Sequence, residues 1–284
     1  MKGRMTWEGT KDVIQLWRLY LSSLSTKPAN LSMLESLNPL SSPLTYFTIN
    51  TLADKLRLPI NLTQKVKNSA VARKSLPDGQ TLNYLWAESC TIYLMVTEIY
   101  LNQLYGEKPT GIVFDVGAHC GIYTLFARTR AKMLYAFEPN PETFRFLNQN
   151  TAGCQNVKSC NIALAEKSEI LQFHDADLSM NCSTIKSQSG VKDSGYLVIA
   201  RCLDDLLDFY ELERVDFVKI DAEGSELEIL KGGEKSLRSQ KIKALAVASY
   251  HYAQEVTEVQ KLLAKFGYRS HMENKSELIV FGKS

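Results

Sequence analysis

The chain has 284 residues, of which 45% are hydrophobic and 23% charged, proportions that allow a large packed core. Its formal net charge is only +2, with lysine and arginine scattered along the chain, so binding to double-stranded nucleic acid is unsupported, although a nucleic-acid substrate is not excluded. No apolar run is long enough to cross a bilayer, and no cleavage site follows the apolar stretch 13–24, so we expect a cytoplasmic protein.

The first 85 residues are predicted to form a separate N-terminal segment. From Met1 to about Lys67, prolines divide a moderately amphipathic sequence into short helices and turns that carry no catalytic pattern. Residues 66–86 predict a hairpin around a Pro77-Asp78-Gly79 turn. We expect this segment, residues 1–85, to cap the active-site side of the following domain or to mediate formation of a homodimer.

The remainder, residues 86–284, is predicted to be one α/β domain. Residues 88–105 have apolar side chains at helical spacing and are followed by Gly106, which predicts a helix. Strand and helix patterns then alternate, as is typical of a doubly wound, mostly parallel sheet. We predict seven strands, at 112–116, 133–137, 157–164, 217–220, 244–249, 268–272 and 278–281. The last two are short and separated by a polar turn, so they should pair as an antiparallel hairpin at the sheet edge.

An insertion interrupts this alternation between Ala165 and Cys202. Leu171 and Phe173 predict one added strand and residues 196–200 another, joined by a loop at 177–195 that is rich in serine, asparagine and lysine. Loops of this length inside compact domains are usually functional lids or disordered. The sequence leaves open whether this loop faces a substrate or is disordered.

The most informative motif is at residues 112–121, where a short apolar run meets an acidic turn that contains Gly117 and Gly121. A second apolar run ends at Glu138, about 20 residues later. Parallel strands end at the edge of the sheet where ligands bind, and glycine lets a ligand approach the backbone closely. Glu138 would accept hydrogen bonds from two ribose hydroxyls. The pattern therefore predicts a nucleoside-binding crevice.

Charge indicates which nucleoside is bound. His119 and Cys120 separate the two glycines, so the middle glycine that a pyrophosphate site needs is missing. Asp115 places an anion near the strand tip, which would repel a pyrophosphate but suit the ammonium and sulfonium groups of S-adenosylmethionine. The sequence favours a methyl donor over NAD. The alternative is that Asp115 is a strand-end cap and Glu138 a solvated surface acid.

A second dense cluster, residues 215–225, ends a predicted strand at Asp221 and Glu223, just before a helix. Two carboxylates at one strand tip repel each other unless a cation, a proton or a hydrogen-bond donor lies between them. Ser225 and Glu228 fit a capping box for the helix, which Gly232 and Gly233 would end.

With these pieces in order, about the last two hundred residues resemble the FkbM family of S-adenosylmethionine-dependent methyltransferases. The resemblance rests on Val113-Phe114-Asp115-Val116-Gly117-Ala118 with Gly121, Ala136-Phe137-Glu138-Pro139-Asn140-Pro141, Asn161-Ile162-Ala163-Leu164, Leu203-Asp204-Asp205-Leu206, and Val215-Asp216-Phe217-Val218-Lys219-Ile220-Asp221-Ala222-Glu223-Gly224-Ser225-Glu226-Leu227. It implies the Rossmann-like fold of class I methyltransferases for the α/β domain and S-adenosylmethionine as cofactor.

The same resemblance implies the residues of the cofactor site. Asp115, Gly117 and Glu138 are expected to contact the cofactor, and Ala163 to lie near its adenine. The other motif residues that complete the predicted cofactor site are Ala118, His119, Gly121, Pro139 and Asp221. His119 departs from the family, which usually has asparagine at this position, although a histidine can still donate a hydrogen bond there.

Methyl transfer to a hydroxyl requires removal of the hydroxyl proton, so a general base is expected within hydrogen-bond reach. The candidates are His251, Asp221 and Glu223, with His251 ranked first because its unperturbed pKa is nearest neutral. Alternatively, His251 merely packs at a strand end between Tyr250 and Tyr252. The acidic tip could also hold a divalent cation, but the six cysteines show no metal-ligand spacing and we assign no metal ligands from the sequence.

We therefore predict O-methylation of a hydroxyl on a small molecule or glycan unit. Methylation of a nucleobase amino group is disfavoured, because the tip after Ile220 lacks an Asn-Pro-Pro-Tyr or Asp-Pro-Pro-Tyr sequence. The alternatives are an RNA or protein methyltransferase on the same fold, and a non-catalytic adaptor that retains the fold.

Overall fold

A computed structural model of the chain describes residues 71–85, 88–176, 191–252, 254–274 and 277–281. The predicted N-terminal helices and most of the predicted loop at 177–195 lie outside these ranges. No helix within them is long and apolar enough to cross a membrane.

The described part of the chain begins with the predicted hairpin, formed by antiparallel strands β1 (Val71–Ser75) and β2 (Thr81–Leu85). Helix α1 (Ser89–Val96) follows and passes directly into a π-helical turn at Thr97–Leu101. The predicted helix is thus confirmed, but it ends at Leu101 instead of Tyr105. Short π-helical segments inside helices occur frequently at functional sites.

The remaining elements alternate between strand and helix. The strands are β3 (Gly111–Val116), β4 (Ala131–Phe137), β5 (Val157–Cys160), β6 (Ala163–Leu164), β7 (Glu169–Ala176), β8 (Val191–Arg201), β9 (Phe217–Ile220), β10 (Ala244–Ala248), β11 (Arg269–Asn274) and β12 (Glu277–Phe281). The helices are α2 (Ile122–Ala127), α3 (Pro141–Thr151), α4 (Leu203–Phe209), α5 (Glu226–Lys231), α6 (Glu234–Arg238) and α7 (Glu255–Lys265).

The central sheet has the strand order β11-β12-β10-β9-β3-β4-β5. Strands β10, β9, β3, β4 and β5 are mutually parallel, whereas β12 pairs antiparallel with both β10 and β11. The predicted α/β fold, with a mostly parallel sheet and an antiparallel edge hairpin, is confirmed. Because the chain runs outward from β3 through β4 to β5 and then returns to β9 on the other side of β3, the strand order reverses between β3 and β9. Open α/β sheets bind ligands at such a switch point.

The strand predicted at 157–164 is wrong as a single element. It divides into β5 at the sheet edge and β6, which pairs with β8 in a small separate sheet of order β6-β8-β7. The chain turns between them at Asn161, whose side-chain amide donates to the carbonyl oxygens of Glu138 and Pro139 at 2.8 and 3.0 Å. Both added strands of the insertion are confirmed as β7 and β8, and both are longer than predicted.

The sheet is buried on both faces, as expected for parallel strands. Along β3, Val113 enters one core cluster, and Phe114 enters the other, which contains α4, α5 and α7 residues. The first cluster also contains residues of β2, α1, α2 and α3. The side-chain amide of Asn150 on α3 ties this layer together, since it donates to the carbonyl oxygens of Asn83 and Cys120 at 2.8 Å each. The hairpin therefore packs against the sheet domain, and the division at residue 85 stays a prediction.

A buried lysine lies beneath the switch point. Lys219 on β9 is directly opposite Asp115 on β3, and both are almost completely buried on the face of the sheet that α2 covers. The Lys219 ammonium lies 3.2 Å from Asp115 Oδ1 and donates to the carbonyl oxygens of Val116 and Gly117 at 3.2 and 2.7 Å. The other carboxylate oxygen of Asp115 accepts from Thr124 Oγ1 at 2.5 Å. One ammonium group thus compensates a buried charge and fixes the end of β3.

Lys219→Met is expected to lower the free energy of unfolding by about 3–5 kcal/mol, because it leaves the buried Asp115 carboxylate uncompensated. The double variant Lys219→Met/Asp115→Asn should recover part of this loss. Urea unfolding measures both. Lys231→Met is the control, since its side chain is 41% exposed and the change should stay within about 0.5 kcal/mol. Equal stability of Lys219→Met and the control would contradict this account.

Candidate functional site

A cavity of about 270 Å³ lies at the carboxyl ends of β3, β4 and β9, where the strand order reverses. Seven residues predicted from the sequence line it: Gly117, His119, Glu138, Pro139, Ala163, Asp221 and Glu223. Four other predicted residues are not among the lining residues: Asp115, Ala118, Gly121 and His251. The structure therefore gathers most of the predicted cofactor site and two of the three candidate bases around one cavity.

The turn after β3 requires glycine at residue 117. Gly117 has a φ of +71°, and a Cβ atom there would come within 1.8 Å of the Asp221 carbonyl oxygen. The amides of Gly117 and Ala118 both donate to the carbonyl oxygen of Phe137, at 3.1 and 3.0 Å, which ties the turn to the end of β4. The backbone is therefore bare and rigid where it meets the cavity.

Two backbone amides hold the carboxylate of Glu138 in place. Its Oε2 accepts from the His119 amide and its Oε1 from the Asn140 amide, both at 2.9 Å. Asn140 in turn caps α3 by accepting from the amides of Glu142 and Thr143. Burial raises the pKa of Glu138, which the nearby His119 and the two amides partly oppose. Each carboxylate oxygen keeps acceptor capacity toward the cavity, because an ionised carboxylate has about four acceptor sites.

His119 adopts a φ of +51°, a region in which asparagine and histidine are over-represented among residues other than glycine. The conformation thus accounts for histidine standing where the family usually has asparagine. Its Nε2 lies 3.4 Å from Oε2 of Glu88, which precedes α1. Burial opposes a charge on the imidazole, but Cys120 and Glu88 outweigh it and raise the pKa of His119 above its ordinary value. His119 therefore links the turn after β3 to the layer that contains α1.

Asp115 does not reach the cavity wall. Its side chain points from β3 into the layer that contains α2 and is fully buried, where it forms an ion pair with Lys219 and accepts a hydrogen bond from Thr124. The sequence placed this acid at the strand tip, but Val116 is the last residue of the strand and the side chains alternate between the two faces. The structure places Asp115 as a support beneath the turn.

Asp221 and Glu223 form the acidic wall opposite Glu138. The Tyr105 hydroxyl donates to Asp221 Oδ2 at 2.8 Å, and the Tyr250 hydroxyl donates to Oδ1 at 3.3 Å. Glu223 has a φ of +54° and a side chain that is 25% exposed. Burial and the neighbouring Asp221 raise the pKa of Glu223 to about 8, although His251 opposes the shift.

His251 lies behind this wall, not on it. Its Nδ1 is 3.4 Å from carboxylate oxygens of both Glu226 and Glu255, and its Nε2 is 3.7 Å from Glu223. Burial lowers the pKa of His251, but these carboxylates outweigh burial and raise it to about 10. A protonated imidazole has no lone pair to accept a proton, so this environment does not suit the general-base role that its unperturbed pKa indicated.

The capping box predicted at Ser225 and Glu228 is wrong. Ser225 occupies the N-cap position of α5, but its side chain makes no capping hydrogen bond. Instead, Oε1 of the fully buried Glu226 accepts from the Ala222 amide at 2.6 Å and closes the turn after β9. Sequence reasoning missed Glu226 as well as Lys219. The sequence feature that could have indicated Glu226 is the run of acidic residues at 221–226, because helix capping does not explain all of these carboxylates.

The α1 layer forms the remaining wall of the cavity. Thr91, Leu94, Met95 and Glu98 line it from α1 and the π-helical turn, together with Tyr105. The sequence predicted an apolar helix face within residues 88–105, which includes Met95, but gave no indication that this face meets the cavity. Glu98 on that face was the available signal.

Comparison with known proteins relates the chain to methyltransferases. The family model described as methyltransferase FkbM domain matches residues 115–270. The chain is 29% identical over 184 residues to hexuronic acid methyltransferase AglP of Haloferax volcanii, covering 61% of this chain and 70% of that protein. It is 25% identical over 147 residues to 2-O-methyltransferase NoeI of Sinorhizobium fredii, covering 46% of this chain and 60% of that protein.

A solved structure of methyltransferase FkbM from Methylobacillus flagellatus KT superposes with a TM-score of 0.43 and 15% identity, covering 84% of this chain and 61% of that chain. The family model spans more than half of the present chain and includes the strand ends that form the cavity. The protein therefore belongs to the FkbM methyltransferase domain family and is an enzyme of the methyltransferase type.

Proposed function

We propose that the protein transfers the methyl group of S-adenosylmethionine to a hydroxyl group on a small molecule or glycan unit. The observation that carries the proposal is Glu138, whose two oxygens are each fixed by one backbone amide and keep acceptor capacity beside the Gly117 turn. This geometry suits the two adjacent hydroxyls of a ribose. The relative named as a 2-O-methyltransferase supports an oxygen acceptor, and the relative named as a hexuronic acid methyltransferase supports a sugar unit.

The residues of the cavity fit a sulfonium nucleoside. Gly117 lets the turn after β3 pack directly against the Asp221 carbonyl oxygen, which brings the two strand ends together at the cavity. Pro139 and Ala163 offer an apolar surface for the adenine. Asp221 lies across the cavity from Glu138, on the side where the methionine end would lie. An acidic wall attracts the ammonium and sulfonium groups and repels a pyrophosphate. S-adenosylmethionine, when bound, supplies a methyl group that is already activated for displacement.

The protein's own part in the reaction is alignment and proton removal. The α1 layer and the acidic wall would hold the acceptor in line with the methyl group and exclude water. Glu223 is the base we propose, because its carboxylate lies on the wall, is partly exposed and is ionised above its pKa of about 8. His251 is enclosed behind the wall and keeps its proton up to a pKa of about 10. Asp221 is fixed by two tyrosines and would position the donor or the acceptor.

Glu138→Ala is expected to weaken binding of S-adenosylhomocysteine by about tenfold or more, because charge-assisted hydrogen bonds to the ribose are lost. Isothermal titration calorimetry measures the dissociation constant. The control is Glu142→Gln, an exposed acid in the first turn of α3, which should bind as tightly as the wild type. Unchanged affinity in Glu138→Ala would refute the proposed ribose site.

Glu223→Gln is expected to reduce methyl transfer by about 100-fold or more, since general-base catalysis contributes at least this much. Its affinity for S-adenosylhomocysteine should change little. The assay follows label from S-adenosylmethionine into an extract of the source cells, separated into small-molecule, glycan, RNA and protein fractions. Glu228→Gln, whose side chain is 44% exposed, serves as the matched control. Full activity of Glu223→Gln would contradict the assignment of the base, and label in RNA or protein would contradict the acceptor class.

A further inference from the structure

We propose that the acidic end of β9 and β10 binds one divalent cation through Asp221, Glu226 and His251, and that this cation orients the acceptor hydroxyl. The inference deepens the proposed function and rests on it. The chain has no cysteine or histidine motif that would have indicated such a site, so the three-dimensional arrangement carries it.

The three side chains converge although they come from different elements. Asp221 follows β9, Glu226 begins α5 and His251 follows β10, and one ligand atom from each lies within 4.8 Å of the other two. Asp221 lines the cavity, so a cation held here would be accessible to the acceptor. Within the described ranges, this is the group of carboxylate, imidazole and thiol side chains that is close enough to hold a metal ion.

A buried oxygen independently points to a missing ligand. Glu226 is fully buried, and its Oε1 is occupied by the Ala222 amide, but the contact of its Oε2 with His251 Nδ1, at 3.4 Å, is longer than a good hydrogen bond. Both ring nitrogens of His251 are also buried without a hydrogen bond, and their nearest carboxylate oxygens lie at 3.4 and 3.7 Å. These distances exceed those of good hydrogen bonds. Buried polar atoms are rarely left in this state unless water or an ion completes them.

The charges around His251 favour a cation. Carboxylates of Glu223, Glu226 and Glu255 lie within 3.7 Å of its ring nitrogens, and Asp221 adds a fourth nearby. Lys219 is 4.0 Å from Asp221, but its ammonium is already paired with the buried Asp115. Like charges at such distances destabilise a site unless a cation lies between them. A divalent ion would supply the compensation in place of the proton that these carboxylates otherwise keep on His251, because a metal-binding imidazole must be neutral.

The donor set indicates which ion is bound. Two carboxylates and one imidazole suit a hard cation with open positions for water or substrate oxygens, such as Mg²⁺ or Mn²⁺. Glu255 would act behind the ligands, because its carboxylate accepts from the His251 amide at 2.8 Å and faces the ring at 3.4 Å. Such outer carboxylates fix the orientation of a metal-binding imidazole.

The cation would assist the proposed transfer without changing which bonds form and break. It would hold the acceptor oxygen and stabilise negative charge as the hydroxyl proton passes to the Glu223 carboxylate. The acceptor oxygen then forms a bond to the methyl carbon while the carbon–sulfur bond breaks. The electron pair of the broken bond goes to sulfur. The products are the methyl ether, S-adenosylhomocysteine and a proton on Glu223.

The test measures Mn²⁺ binding by the full chain. Chelator-treated protein is mixed with increasing MnCl2, and free Mn²⁺ is counted by electron paramagnetic resonance. We expect one ion per chain for the wild type and an affinity lowered by about tenfold or more in Glu226→Gln and in Asp221→Asn. Glu258→Gln is the matched control, an exposed acid on α7 that hydrogen-bonds to Tyr252 and should leave the affinity unchanged.

Absence of saturable Mn²⁺ binding in the wild type, or equal binding by wild type, Glu226→Gln and Asp221→Asn, would overturn the proposal. If the buried Glu226→Gln substitution prevents folding, which circular dichroism reports, Asp221→Asn decides the outcome. Binding of S-adenosylhomocysteine is measured on the same samples. Wild-type protein that binds this product but no Mn²⁺ overturns the metal site alone, whereas protein that does not bind the product overturns the proposed function.

Discussion

The contact between Lys219 and the end of β3 is the interaction on which the site depends. The buried ammonium group compensates the charge of Asp115, donates a hydrogen bond to the Gly117 carbonyl oxygen, and lies 4.0 Å from Asp221. It therefore joins the two strand ends that flank the switch point. A neutral side chain at this position would leave a buried charge and free the turn whose backbone forms part of the cavity wall. The rigidity of the cavity thus follows from the charge pairing beneath it.

The negative charge of the cavity wall follows from the same arrangement. The Lys219 ammonium group faces Asp115 and the backbone carbonyl oxygens at the end of β3, so it does not neutralise the cavity wall. The charged side chains of that wall include Glu138, Asp221 and Glu223. A buried site of this sign selects cationic ligands through Coulomb attraction in a medium of low dielectric constant. The proposed sulfonium nucleoside and the proposed divalent cation would both meet this requirement, one beside Glu138 and the other at Asp221.

Local patterns in the sequence were enough to predict most of the strands, the hairpin at β1 and β2, and Glu138 directly after β4. Long-range pairing was not accessible in the same way. That Asp115 is buried follows from its register opposite Lys219, about a hundred residues later in the chain, and a carboxylate's neighbours cannot be inferred from its own segment. His251 was ranked by its unperturbed pKa, whereas the folded chain surrounds it with Glu223, Glu226 and Glu255. The capping box failed because Glu226, one residue along, competes for the same turn.

Backbone strain occurs in both turns that face each other across the cavity, which hold two of the five described residues other than glycine with positive φ. His119 in one and Glu223 in the other both have positive φ, which costs free energy for residues other than glycine and persists only where surrounding contacts enforce it. In each turn a buried carboxylate enforces it: Glu138 accepts from the amide of His119, and Glu226 accepts from the amide of Ala222, next to Glu223. The acids of the site therefore act first on the protein's own backbone. Because they are anchored in this way, their remaining oxygens are directed before any ligand arrives, which reduces the reorganisation that binding would otherwise require.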